Sequence, residues 1–173
     1  MGHVRIYVPT TVAGLRKLLA EEQVQPVSGT AFALTPALRE AYTAGDDEEL
    51  EYVAMTEAAR ASLRLLGTEL AQDPDAPARR AVVAADVDDV TLRPDLDAAV
   101  VRVDGPIPMR RLAAVHLDLA EAAEAVRTAV GVIDAADLGD EDAELALGDA
   151  EDHDLAWYGL QELPFVLELE DLG

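Results

Sequence analysis

Chemistry-bearing residues are sparse in this sequence and fall in four places. The first is His116-Leu117-Asp118. On a strand, His116 and Asp118 share a face, and a carboxylate beside an imidazole can orient it as a base or a metal ligand. His153 is the only other histidine besides His3, so two histidines and one aspartate form the barest metal or acid–base set. No HExxH or comparable spacing fixes their geometry, and a half-buried strand histidine bonded locally is the simpler reading. The second place is the run from His153 to Leu163. Read as a helix, it repeats His153, Trp157 and Gln161 every four residues, with Asp154, Tyr158 and Glu162 on the adjacent stripe. Trp and Tyr anchor protein interfaces, which makes this stripe a candidate recognition surface. The competing reading is that Trp157 fills the core with its N–H satisfied.

The third place is a group of aspartates around two strand ends, Asp86, Asp88, Asp89, Asp95, Asp97 and Asp104. Hard cations need converging oxygens, but the glycine and the spacing of an EF-hand loop are absent, and a solvated acidic loop accounts for the group. The fourth comprises Arg79-Arg80 and Arg110-Arg111, which would bind an anion or pair internally with the acidic half of the chain. No GxGxxG, GxxxxGK[ST], GxSxG or CxxC occurs, so the common nucleotide and acyl-transfer motifs lend no support. No cysteine is present, which removes disulfides, thiolate nucleophiles and cysteine-held metals. No cofactor and no resident metal are expected.

The 173 residues suit one domain with one core, spanning 1–173. Thirteen basic residues face 35 acidic ones, for a net charge of −22. A field of that sign repels nucleic-acid phosphates and anionic membranes, so direct nucleic-acid binding is disfavoured and no membrane association is expected. The charge is uneven: Arg127 is the last basic residue, and 14 carboxylates follow it. The N-terminal stretch has no apolar h-region and no run approaches a membrane span, which reads as a cytoplasmic protein. Only seven residues are aromatic, so the core must be built from Leu, Val and Ala.

The elements that would position these residues are as follows. Val4–Val8 alternates as a strand that Pro9 ends, and Thr10 or Thr11 caps a helix from Val12 to Glu22. Gln23–Gly29 reads as loop, Ala31–Leu34 as a strand, and Thr35-Pro36 opens a short helix to Ala44 with Gly45 after it. Asp46-Asp47 opens a helix of about 25 residues with acids at its start, as the helix dipole favours. Strands follow at 80–87 and 98–104; 112–119 reads as a strand or the front of a helix, with the alternation of Val115, His116, Leu117 and Asp118 favouring strand. Then come a helix at 121–130, an acidic loop at 134–142, and one long helix from Asp140 through Trp157 to Leu163, where Pro164 ends or kinks it. Grouped strands imply an α+β fold, with a mixed or antiparallel sheet of four to five strands and helices mainly on one face. A ferredoxin-like layout is the nearest named alternative.

Several segments together resemble a known family. They are Arg5-Ile6-Tyr7-Val8-Pro9-Thr10, Leu34-Thr35-Pro36-Ala37-Leu38-Arg39-Glu40, Glu48-Glu49-Leu50-Glu51-Tyr52, Val82–Asp86, His116-Leu117-Asp118 and Trp157-Tyr158-x-x-Gln161-Glu162-Leu163. The chain is similar to a family of short, acidic, uncharacterised actinobacterial proteins, a domain of unknown function. The resemblance implies a compact single domain and carries over no activity and no catalytic residue.

Taken together, these features favour a non-enzymatic interaction or regulatory domain that engages another protein through its acidic C-terminal region. The candidate binding residues are His116, Asp118, His153, Trp157, Tyr158, Gln161 and Glu162. One alternative is a small metal-dependent or acid–base enzyme using His116, Asp118 and His153. Another is a nucleic-acid mimic presenting its carboxylates in a phosphate-like row.

Overall fold

The computed structural model describes residues 3–172, with side chains through Leu169. Seven strands form one sheet in the order β5-β6-β3-β1-β4-β8-β9. They are β1 (Val4–Thr10), β3 (Thr30–Ala33), β4 (Ala81–Val87), β5 (Thr91–Leu92), β6 (Val100–Arg102), β8 (Leu112–Leu117) and β9 (Ala156–Tyr158). A separate two-stranded ribbon pairs β2 (Gln23–Val24) with β7 (Ile107–Pro108). Every pairing is antiparallel. The expectation of four to five strands therefore undercounts the sheet. Of the missed strands, β2, β5 and β7 are two residues long and lie in loop or turn stretches, while β9 is three residues long and lies where a helix was expected.

The helices are α1 (Val12–Glu21), α2 (Pro36–Ala41), α3 (Asp47–Gln72), α4 (Ala123–Asp137), α5 (Glu141–Glu151) and α6 (Leu163–Leu172). Their caps follow from the sequence: the side chains of Thr11, Thr35, Asp46 and Asp140 accept from the first-turn amides of α1, α2, α3 and α5. The chain runs from β3 through α2 and α3 into β4. Both β3 and β4 lie antiparallel to β1 on either side of it, which makes a split β–α–β unit. Of the two such units in a ferredoxin-like layout only this one forms, because β4 and β8 are direct neighbours, as are β8 and β9.

Strand alternation divides the core. On one face Ile6, Val8, Val83, Val115 and Leu117 pack with α1 and α6. On the other, Tyr7, Phe32, Val82, Ala84 and Ala114 pack with α2 and α3. Helices thus cover both faces, correcting the expectation of mainly one. The reason is that β4 and β8 are apolar on both sides, so each face needs a cover. Ala54 and Ala58 of α3 meet Ala84 and Ala114 of the sheet, so the alanine-rich composition becomes close helix-to-sheet approach. Beyond the sheet, Leu63 and Leu66 of α3 continue into a helical cluster with the α4–α5 hairpin. Ser62, fully buried on α3, donates to the Thr10 carbonyl (2.7 Å) and accepts from the Ala81 amide (3.1 Å), which ties the helix to β1 and β4.

The expected long helix from Asp140 to Leu163 does not form. α5 stops at Glu151, β9 takes Ala156–Tyr158, and α6 starts at Leu163 after a turn of 3₁₀ helix at 160–162. Asp152, His153 and Asp154 are weak helix formers, and Ala156-Trp157-Tyr158 gains a sheet ladder against β8. Pro164 sits in the first turn of α6, where its missing N–H costs nothing, so it marks a helix start rather than an end. The segment 134–142 is also less of a loop than expected, since α4 continues to Asp137. Among the described residues no helix is long and apolar enough to cross a membrane.

Candidate functional site

Of the sequence-predicted residues the structure brings His116 and Trp157 together across two strands and distributes the others among separate settings, an arrangement that a helical stripe does not anticipate. Trp157 lies on the edge strand β9 directly opposite His116 of β8, and His116 lies opposite Val82 of β4. Cross-strand partners share a face, so Trp157 and His116 point to the side that α3 covers further in. Trp157 is 62 % exposed, which removes the core-plug reading. Tyr158, next in the strand, turns to the opposite face and packs beside the α1–α6 core. Gln161 and Glu162 fall in the 3₁₀ turn that follows. The Glu162 carboxylate accepts from the Gly159 amide (2.9 Å) and so closes the turn instead of lining a helix face.

Behind His116 the Tyr7 ring sits 6.5 Å away, tilted by 55°. The Tyr7 hydroxyl donates to Glu51 of α3 (3.3 Å). Burial pushes the Tyr7 phenol up to about 12, and the Glu51 carboxylate adds to the shift. Burial also lowers the His116 imidazole below its usual range, with the nearby Arg5 guanidinium acting in the same direction. Arg5 is itself held by a two-pronged bond to Asp86 on the neighbouring strand (2.7 and 3.1 Å). His116 is therefore a neutral, half-buried ring in an aromatic and ionic setting.

Asp118 does not orient His116. It lies just beyond β8, almost wholly buried, and both of its oxygens are taken by the Arg80 guanidinium (2.8 Å each). The Arg80 amide donates to the same carboxylate (2.8 Å). Arg80 also donates to the carbonyls of Ala150 (2.9 Å) and His153 (2.8 Å). One buried arginine thus fastens the strand ends to the terminus of α5, adding a donor to the Ala150 carbonyl, which also accepts from the His153 amide (3.1 Å). Arg79-Arg80 was singled out in the sequence as a pair; for Arg80, pairing with internal acids is what the fold uses.

His153 joins a different group. With Tyr52, Glu57 and Arg60 of α3, and with Glu151 and Asp154, it lines a cleft of about 340 Å³ beside the strap that leads to Trp157. The Tyr52 hydroxyl donates to Asp154 (3.1 Å) across the mouth of the cleft. Glu57 is half-buried, and burial raises its carboxyl above the usual range, helped by the charge of Asp97. The cleft and Trp157 are continuous through Asp154-Leu155-Ala156. As functional residues, Tyr7 on β1 and Glu51, Tyr52, Glu57 and Arg60 on α3 went unnoticed in the sequence; Tyr7, Glu51 and Tyr52 stood only among the segments that carry the family resemblance. Among the described residues, no group of three or more His, Asp or Glu side chains is placed to hold a metal ion.

Residues 4–167 match the family model of DUF6912, described as a family of unknown function. The chain belongs to that family. The match covers every strand of the sheet, the α3 cleft and Trp157. No curated protein and no solved structure matches the chain.

Proposed function

We propose that the chain is a protein-interaction module whose contact surface is the open edge of the sheet at β9, centred on Trp157 and flanked by the α3 cleft. One observation carries this reading: in a chain with a single tryptophan, that side chain is 62 % exposed on a strand that, among the described residues, has no neighbour on its outer edge. A free strand edge offers backbone donors and acceptors to an incoming strand, and an exposed indole supplies an anchor beside it. The flanking carboxylates Glu151, Asp154 and Glu57, set in a molecule of net charge −22, favour a partner segment rich in Lys or Arg. The partner is therefore a basic, extended segment of another protein. The acid–base alternative built on His116, Asp118 and His153 draws no support from a site in which Asp118 is wholly engaged by Arg80.

The test is capture of a partner by immobilised chain, compared between two single variants. Trp157→Ala is expected to weaken capture at least tenfold. Leu145→Ala, at a leucine 72 % exposed on α5, is expected to leave it unchanged. A partner held equally by both variants would overturn the assignment of the surface.

A further inference from the structure

We propose that a second site, remote in the fold from β9, binds an uncharged and mostly apolar small molecule in the cavity between α1, β2 and the C-terminal half of α3. The cavity has a volume of about 520 Å³, larger than the α3 cleft. Small-molecule sites span roughly 300–1,000 Å³ and are apolar with a few placed polar groups. Pro9, Leu18, Val24, Val27 and Leu65 supply the apolar walls. Val27 is 57 % exposed at the surface, an apolar side chain presented to solvent where a ligand would cover it.

The wall is built in advance. α1 ends at Glu22 in the left-handed conformation (φ 55°), which turns the chain sharply into β2. β2 is then fixed by pairing with β7, and the Gly29 carbonyl accepts from the Val103 amide (2.8 Å). Gly29 has φ +71°, and a Cβ there would lie 2.9 Å from the Val103 carbonyl oxygen, so this close return of the chain depends on glycine.

The polar groups define the ligand. The Lys17 ammonium pairs with Glu21 one turn on (4.0 Å), and the Glu69 carboxylate accepts from the Thr11 hydroxyl (2.5 Å). The one lysine lining the cavity is thus already paired, so an anionic ligand meets no free lysine, and the Glu69 carboxylate is engaged by a neighbouring hydroxyl. Thr10 differs. It is 8 % exposed, it lines the cavity, and among the described residues its hydroxyl has no hydrogen-bond partner. Buried hydroxyls are normally bonded, so this one is the group left for a ligand. Its oxygen lies where a Cβ on Gly14 would stand (2.0 Å), so glycine at the first turn of α1 is what leaves room for it. The ligand is therefore a neutral apolar molecule with one hydrogen-bonding group.

Nile red, a neutral apolar dye carrying a carbonyl acceptor, is the probe. Titrated into the full chain, it is expected to give saturable fluorescence at one dye per chain. Val27→Trp, which fills the mouth from an exposed position, is expected to lower the affinity at least tenfold, and Leu145→Trp to leave it unchanged. Thr10→Val is expected to lower it several-fold. Amide shifts in the NMR spectrum on adding dye should fall on Gly14, Leu18, Val24 and Thr68. Absence of saturable binding, equal affinity in Val27→Trp and Leu145→Trp, or shifts centred on Trp157 would each overturn the proposal, the last by assigning the dye to the β9 edge.

Discussion

Arginines from the first half of the chain meet carboxylates from the second half in two places, under opposite conditions. Arg80 meets Asp118 in the interior, with side-chain exposures of 4 % and 0 %. Arg60 and Arg64 meet Asp137 nearer the surface, where Glu144 and Glu151 also approach Arg60 (3.6 and 3.9 Å). The contrast teaches what a charge asymmetry along a sequence becomes in a fold. The same pairing of early arginine with late carboxylate gives a structural tie where water is excluded, and a solvated seam between α3 and the α4–α5 hairpin where it is not. Coulomb attraction alone does not decide between them. The interior pair is held by several hydrogen bonds that satisfy each group, while the outer network shares a few cations among many acids.

The sharpest way to break this comparison is to remove one interior partner. Asp118→Ala leaves the Arg80 guanidinium buried without its counter-ion, and such losses cost roughly 3–5 kcal/mol. Urea unfolding of this variant should show a loss of that size, roughly a third to a half of the stability of an ordinary domain of about 10 kcal/mol. The double variant Arg80→Met/Asp118→Leu should recover part of it, because a buried pair is replaceable by apolar side chains. Recovery should stay incomplete, since the Ala150 and His153 carbonyls lose the donor that holds the end of α5. If Asp118→Ala cost no more than a surface substitution, the distinction between the two groups would collapse.

The outer network predicts a smaller effect. Asp137 accepts from both Arg60 and Arg64, and although burial works against it, these two guanidiniums hold its carboxyl below the usual range. Exposed pairs contribute about 0.2–1 kcal/mol each, so Asp137→Ala should cost about 1 kcal/mol, or roughly 2–4 °C in Tm. The loss should shrink in high salt, whereas the loss in Asp118→Ala should not.

These differences bear on how far the sequence could be read. The caps at Thr11, Thr35 and Asp46 and the long helix after Asp46 were legible because each rests on neighbours in the chain. The strand at His116 was legible from its alternation. Trp157 was misplaced on a helix because its strand is three residues long and exists only by pairing with β8, and pairing between residues about forty positions apart leaves no local pattern. Asp118 was read as a partner of His116, and the fold pairs it with Arg80 instead. The spacing His116-x-Asp118 suggested a local pair, while the true partner lies 38 positions away. The α3 cleft was invisible for the same reason, since Tyr52, Glu57 and His153 meet only after α5 folds back.

The smallest effect lies where the two regimes meet. Glu57 sits one and two turns before Arg60 and Arg64 on α3, which attract its charge, yet burial and the charge of Asp97 outweigh them and raise its carboxyl above the ordinary 4.5. A raised value means that the folded chain binds this proton more tightly than the unfolded chain. The resulting stabilisation is complete below the unfolded value and is lost as pH rises through the folded one. At neutral pH the fold therefore carries a charge it disfavours. Glu57→Gln should raise Tm by about 1 °C at pH 7, a modest gain because the group is only half-buried. The gain should fade below about pH 4.5, where the native carboxyl is already neutral in both states. Thermal unfolding of both forms at the two pH values measures this directly. A loss of stability at pH 7 would mean that Arg60 and Arg64 dominate at Glu57, extending the solvated seam into the cleft that flanks Trp157.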